Sequence, residues 1–259
     1  KAYESWVENR YSGIFAMATG TGKTITSLNC LLEEYREHGF YRALILVPTL
    51  ALVNQWIDEV KQFNFKNIIE VSGRTNWRKT LTKLKNDFMW DTLSNFVIIS
   101  TYASFNNEVF QKLVNQLPEN TLLIAYDAHN IGSSNTRESI LKIKFAKKIA
   151  LSATPKRAYD PEGNAVIERI FKDSPPYCYS YSMEKAIENR VLNRYFYYPI
   201  LVELQDDEIE DYYSITSQFI RYLSDAGDDF LNDDRVTALL IKRKNIIHKA
   251  RGKLDEFRR

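Results

Sequence analysis

The chain has 259 residues, of which 44% are hydrophobic and 26% charged, an ordinary globular composition that excludes wholesale disorder. Its 35 Lys and Arg against 33 Asp and Glu leave a formal charge of +2, which by itself says nothing about nucleic acid. Two cysteines far apart, Cys30 and Cys178, exclude a disulfide scaffold and a cysteine-rich zinc site, and no apolar run reaches the roughly 18 residues a membrane span needs.

Cysteine usage fits a reducing, cytoplasmic setting. Lys1 reads as already inside a helix, with no charged-then-apolar leader before it, so no signal peptide is expected and the chain reads as cut from a longer one.

In chain order, short apolar runs at 13–18, 43–47, 67–71, 96–100, 122–126 and 148–152 predict strands. They are rich in Ile, Leu, Val and Ala without alternation, as strands covered on both faces should be. Helical spacing separates them. Ile25, Leu28, Leu31, Leu32 and Tyr35 recur on one face up to Gly39. Leu52, Val53, Trp56, Ile57, Val60 and Phe63 repeat the pattern, as do Phe105, Val109, Phe110, Leu113 and Leu117 before Pro118. This alternation predicts an α/β domain with a parallel sheet and helices on both faces.

After Pro155 the character changes. Residues 160–163 read as a turn, 173–176 as a linker, 183–192 as a short helix and 194–204 as a long aromatic strand interrupted by Pro199. Two polar helices follow, over 206–223 and 236–257. The expected organisation is one domain over 1–173, then over 174–259 a mainly helical linker and the start of a second, truncated unit. Residues 203–234 carry eleven acidic side chains against the single base Arg221, whereas 235–259 carry nine Lys or Arg against Asp255 and Glu256. A second basic cluster, Arg74, Arg78, Lys79, Lys83 and Lys85, surrounds Trp77. Such clusters are ordinarily solvated helix faces unless a nucleic-acid motor lies nearby.

The strongest chemical signal is Ala18-Thr19-Gly20-Thr21-Gly22-Lys23-Thr24, between a strand and a helix. A phosphate chain needs converging backbone N–H donors at a helix N-terminus, and glycines permit that close approach. Lys23 would reach the β- and γ-phosphates, and Thr24 would place its hydroxyl on Mg²⁺. Met17 stands where the usual pattern has its first glycine, so this is a variant nucleoside-triphosphate loop. Four further blocks end the second, fourth, fifth and sixth expected strands: Val47-Pro48-Thr49 with Leu52, Gln55 and Trp56; Ser100-Thr101-Tyr102; Asp127-Ala128-His129-Asn130; and Leu151-Ser152-Ala153-Thr154-Pro155. Ligands gather at such strand ends in parallel α/β sheets. A P-loop small-molecule kinase would leave three of these blocks unexplained.

On these residues the sequence resembles the superfamily 2 helicases and translocases, with wording closest to restriction-enzyme motor subunits of types I and III and to excision-repair-like DNA helicases. The resemblance covers roughly residues 1–204 and implies a RecA-like first motor lobe. It implies that Thr19, Gly20, Thr21, Gly22, Lys23 and Thr24 bind ATP with Mg²⁺, and that Ser152 and Thr154 couple hydrolysis to DNA movement. By the same resemblance Pro48, Thr49, Thr101 and Tyr102 hold the DNA backbone, Lys23, Asp127 and His129 serve catalysis, and Thr24 and Asp127 serve the metal. Tyr102 and Trp56 could equally be core aromatics.

Two departures bear on activity. The family's adenine-reading Gln falls upstream of Lys1. The family's Asp-Glu-Ala-His box reads Tyr126-Asp127-Ala128-His129 here. Aligned on Ala-His, a tyrosine replaces the metal-associated aspartate and an aspartate replaces the water-activating glutamate; aligned on Asp127, Ala128 takes the glutamate's place. The resemblance also implies a second RecA-like lobe carrying an arginine finger, and nothing after residue 204 reads as that lobe. Nuclease or other restriction and repair subunits are the implied partners. The leading expectation is therefore an ATP-driven DNA translocase lobe. The alternative is a nucleotide-dependent DNA-binding module with little or no hydrolysis.

Overall fold

Uninterrupted apolar runs become strands here because helices cover both sheet faces. The computed structural model describes residues 1–90, 95–157, 160–226 and 234–258. Contacts divide the chain into two compact units, Lys1–Arg194 and Tyr195–Arg259.

In the first unit, α1 (Ala2–Glu8) leads into β1 (Ser12–Met17), α2 (Lys23–His38), β2 (Arg42–Val47), α3 (Leu50–Gln62) and β3 (Ile68–Val71). Then come α4 (Trp77–Met89), β4 (Phe96–Thr101), α5 (Tyr102–Phe105), α6 (Glu108–Val114) and β5 (Leu122–Tyr126). A 3-10 turn (Ala128–Gly132), α7 (Ser134–Leu141), β6 (Lys147–Ser152), α8 (Pro161–Phe171), β7 (Tyr179–Tyr181) and α9 (Met183–Glu188) complete it. The seven strands pair in parallel in the order β3-β4-β2-β5-β6-β1-β7. β5 matches its expected bounds, and the other five predicted strands shift by one residue at an end or both.

The period-2 geometry of β2 shows why both faces are apolar. Leu44 and Leu46 enter a core with Trp77, Phe105, Phe110, Ile140 and Phe171, the side of α4 to α8. Ala43, Ile45 and Val47 enter the opposite core with Trp6, Leu28, Leu31, Val53 and Trp56, the side of α1 to α3.

Several expectations are corrected. The run from Phe105 to Leu117 is two helices, because the Asn107 side chain accepts from Val109 N at 3.0 Å and starts α6 afresh. Residues 160–163 form a helix start rather than a turn. Asp160 caps α8 by accepting from Gly163 N at 2.8 Å, with Pro161 in the first turn. The aromatic run 194–204 is not a strand. Phe196, Tyr197, Tyr198 and Leu201 stand 82%, 79%, 79% and 95% exposed, and β-favouring residues make no strand without a ladder to join. The expected boundary at 173 falls inside the first unit, since β7 extends the sheet beside β1.

In the second unit, α10 (Asp206–Ala226) packs on α11 (Asp234–His248), followed by α12 (Gly252–Arg258). The expected single helix over 236–257 breaks because Arg251 N donates to Glu208 Oε1 at 3.0 Å, which takes that amide out of the helical ladder. Arg251 also pairs with Asp207, Arg235 Nη1 donates to the Tyr222 hydroxyl at 2.7 Å, and the Arg243 guanidinium sits 5.0 Å from the Tyr212 ring centre. Acidic and basic stretches thus meet within this unit. Among the described residues, no helix is long and apolar enough to cross a membrane.

Candidate nucleotide and nucleic-acid site

The sequence blocks converge at the carboxyl ends of the central strands. β1 ends at Met17, and the loop that follows turns through Gly20 (φ +80°) and Gly22 (φ +85°) into α2. Both glycines occupy left-handed backbone that a Cβ disfavours. Gly22 caps α2 with no side-chain partner, so the first amides of a 16-residue helix present free donors and the positive end of its dipole. Thr21 Oγ1 donates to Ala18 O at 2.7 Å, which closes the loop on itself.

Lys23 is 6% exposed, and its ammonium lies 3.4 Å from each of the Met17 and Ala18 carbonyls. Burial pushes its pKa down, and the nearby Asp127 carboxylate opposes that shift. A buried cation whose hydrogen bonds go only to carbonyls gains from a directly bound anion. A phosphate chain at the uncapped helix start would supply it. The loop, the helix start and Lys23 therefore fit ATP's phosphates, and the half-buried Thr24 hydroxyl and the Asp127 carboxylate, whose charge reaches Lys23, are donor types that a divalent ion takes.

Asp127 follows the last residue of β5 and adopts φ +52°, ψ +58°. A non-glycine residue there stores strain of about 1 kcal/mol or more, although aspartate tolerates it better than most. Neighbours on both sides hold it. Tyr102 donates its hydroxyl to the Tyr126 carbonyl at 2.9 Å, and Asn130 returns its backbone N–H and side-chain amide to the Asp127 carbonyl at 3.0 and 2.8 Å. Tyr126 is half-buried, edge-on to the Trp56 ring at 5.7 Å. Burial and then the Asp127 charge raise its phenol pKa, so at neutral pH it offers no anion to a metal.

The remaining predicted residues separate into surface and support. Thr49 is exposed and N-caps α3, accepting from Leu52 N at 3.3 Å. Thr101 N-caps α5, accepting from Ser104 N at 3.2 Å. Pro48 and Thr101 line an open cleft of about 820 Å³ with Ser104, Asn107 and the 72–78 stretch, whose charged members are Arg74 and Arg78. Tyr102 departs from the expected DNA-holding set. It is 6% exposed, its ring lies in the core and its hydroxyl is committed to Tyr126, so it supports Asp127 from behind. Trp56, 0% exposed, is likewise core. Ser152 is buried and accepts from Thr154 N at 3.2 Å, while Thr154 is exposed beside His129, Lys156 and Arg157. His129 Nδ1 is buried without a hydrogen-bond partner among the described residues.

Sequence reasoning placed the Arg74–Trp77–Arg78 cluster on a solvated face. The structure buries Trp77 to 9% exposure and puts both arginines on the cleft beside Thr101. Arg157, two residues past the Leu151–Pro155 block, carries no motif signal in the sequence, yet it lies beside Thr154 and His129. Their proximity to the site depends on long-range packing.

The chain's residues 1–157 match the family described as "Type III restriction enzyme, res subunit". The chain belongs to this family. It is thus an N-terminal lobe of the superfamily 2 helicase type, related to restriction-enzyme motors. The res-subunit lobe is 26% identical over 164 residues to the chromatin-remodeling ATPase INO80 of Lodderomyces elongisporus, covering 58% of this chain and 10% of that one. It is 29% identical over 143 residues to transcript termination protein A18 of Yaba monkey tumor virus, covering 54% and 27%. The chain therefore spans only a tenth to about a quarter of these relatives. Among solved structures, a nuclease-deletion mutant of the Type ISP restriction-modification enzyme LlaGI in complex with a DNA substrate mimic superposes with a TM-score of 0.54 at 19% identity, covering 88% of this chain and 22% of that one. At that identity the likeness establishes the RecA-like fold.

Proposed function

We propose that this res-subunit lobe binds ATP with Mg²⁺ at the loop Thr19–Thr24 and engages the DNA backbone across Pro48, Thr49 and Thr101, as the first motor lobe of a restriction- or repair-type translocase. The carrying observation is the buried Lys23 ammonium at an uncapped helix start, held at the Met17 and Ala18 carbonyls within reach of the Asp127 charge. In that reading Lys23 and the α2 amides take the phosphates, and Thr24 with Asp127 takes the metal, which supplies charge neutralisation when bound. Ser152 and Thr154 join this site to the DNA side. Hydroxyls and amides at the 820 Å³ cleft suit phosphodiesters, giving binding that positions without reading sequence. Calorimetry with a non-hydrolysable ATP analogue tests this. Lys23→Ala should weaken binding by roughly 10- to 100-fold, the worth of charge-assisted hydrogen bonds. Equal affinities for the two proteins would refute it.

A specific observation favours the second reading, a nucleotide-dependent DNA-binding module with little hydrolysis. Tyr126, packed edge-on against Trp56, occupies the place of one of the family's two acidic groups and leaves Asp127 alone. If Asp127 takes the metal, Ala128 stands at the glutamate place and leaves no base; if Asp127 stands at the glutamate place it is one methylene short, and a base misplaced by about 1 Å can lose roughly 10²-fold in rate. Arginine fingers add ~10³–10⁵ where a second lobe supplies them. Phosphate release by this chain should therefore be very slow with or without DNA. Ordinary motor rates would favour the first reading outright.

A further inference from the structure

We propose that Arg157 is a positioning residue that holds Asp127 in its metal-facing conformation; this rests on the nucleotide-site reading above. Arg157 follows the Ser152–Pro155 block, and its guanidinium reaches back across the carboxyl edge of the sheet to donate Nη1–H to the His129 carbonyl. Its Nε–H goes to Asp160 Oδ2 at 2.6 Å. Its own backbone is clamped to α8, since Arg157 N donates to Asn164 Oδ1 at 2.7 Å and Asn164 Nδ2 donates to Arg157 O at 3.0 Å.

A second arginine completes the arrangement. Arg137, on α7, donates Nη2–H to Asp160 Oδ1 at 2.6 Å and Nε–H to the Gly132 carbonyl. Two guanidinium groups thus share one carboxylate, and each also holds a carbonyl of the 3-10 turn that begins directly after Asp127. The turn is fitted to this grip, because a Cβ on Gly132 would lie 2.4 Å from Arg157 Cδ.

The consequence falls on Asp127. Its left-handed backbone persists only while the chain on both sides is fixed. Tyr102 fixes the preceding carbonyl, and Arg157 fixes the carbonyl two residues after Asp127. Fork geometry is essential, since a lysine ammonium cannot serve a carbonyl and a carboxylate in one plane as a guanidinium does. Arg157 therefore stands behind the metal-facing carboxylate as outer partners stand behind metal ligands, a role whose loss costs about 10- to 100-fold in metal affinity.

The test measures affinity of the 259-residue chain for a non-hydrolysable ATP analogue with Mg²⁺ and with EDTA, for wild type, Asp127→Asn, Arg157→Lys and the double variant. Wild type should bind tighter with Mg²⁺. Arg157→Lys should lose roughly 10-fold or more of that magnesium enhancement while keeping the metal-free affinity, which a merely structural defect would lower too. The double variant should match Asp127→Asn, showing that Arg157 acts through Asp127. Magnesium enhancement lost in Asp127→Asn but retained in Arg157→Lys overturns this proposal alone. No nucleotide binding, or no magnesium enhancement in wild type, overturns the site reading and this proposal together.

Discussion

Lys23 and Asp160 show two ways this lobe handles charge. Lys23 is buried with long carbonyl contacts and the Asp127 charge nearby, and in the proposed reading an incoming phosphate completes its environment. Asp160 is complete already. The Gly163 N–H, then Arg157 and Arg137, hold its pKa down to about 2. An aspartate whose folded pKa lies below its unfolded value of about 3.9 adds stability at higher pH, and this is lost as pH falls through the folded pKa. Wild type should therefore melt several degrees above Asp160→Asn from neutrality down to about pH 4, with the gap closing towards about pH 2. Thermal scans across that range check it; a gap that does not change with pH would show that the carboxylate's charge is irrelevant.

At the scale of elements, α3 illustrates how a motif helix is also a core helix. Thr49 starts it with a cap on the surface, while Val53, Trp56 and Val60, on one face at helical spacing, are fully buried. Trp56 Nε1 has no hydrogen-bond partner among the described residues. Trp56→Phe removes that stranded donor together with some apolar area, and the two effects oppose each other. Urea unfolding should place the variant within about 1 kcal/mol of wild type, whereas Trp56→Ala should lose roughly 3–5 kcal/mol. A Trp56→Phe loss as large as that of the alanine variant would mean that the donor is satisfied after all. β7 and α9 make the complementary point. Ala18 N donates to Tyr181 O at 3.0 Å, and a Cβ on Gly20 would lie 3.2 Å from Leu192 Cδ2, so the segment beyond residue 173 buttresses the glycine loop itself.

For the whole molecule, the unit boundary at Arg194 makes a direct prediction. A chain ending at Arg194 should fold and bind the ATP analogue as the 259-residue chain does, whereas one ending at residue 173 should lose β7 and bind more weakly. Calorimetry on both truncations decides this, and equal binding by the shorter one would contradict it. DNA affinity should be weak, independent of sequence and steeply dependent on salt, with a log–log slope of about 0.9 per phosphate neutralised. Fluorescence anisotropy on several duplexes across a salt series is the check, and tight binding that persists at high salt on one sequence would refute it. The basic stretch 235–259 should add little, because Arg235, Arg243 and Arg251 already contact groups in their own unit.

What the sequence determined by itself was local or strictly periodic. Apolar runs fixed six of the seven strands of the sheet, because both-faced burial leaves a signature in consecutive residues. The Gly20–Thr24 wording gave the shape of the glycine loop, because left-handed turns and an uncapped helix start are properties of adjacent residues. Tertiary structure alone decided what depends on partners distant in the chain. β7 is three residues long and becomes a strand only by pairing with β1; residues 194–204 look more like a strand and form none for lack of such pairing. Tyr102 was taken from the surface to the core, and Arg74 and Arg78 were brought to the cleft. Arg157 gained its place behind Asp127 because the packing of α7 and α8 brings Arg137, Asp160 and the His129 carbonyl to one point. Hydrogen bonds to backbone carbonyls leave no residue-type signature at the accepting position, so this grip could be seen only in the fold.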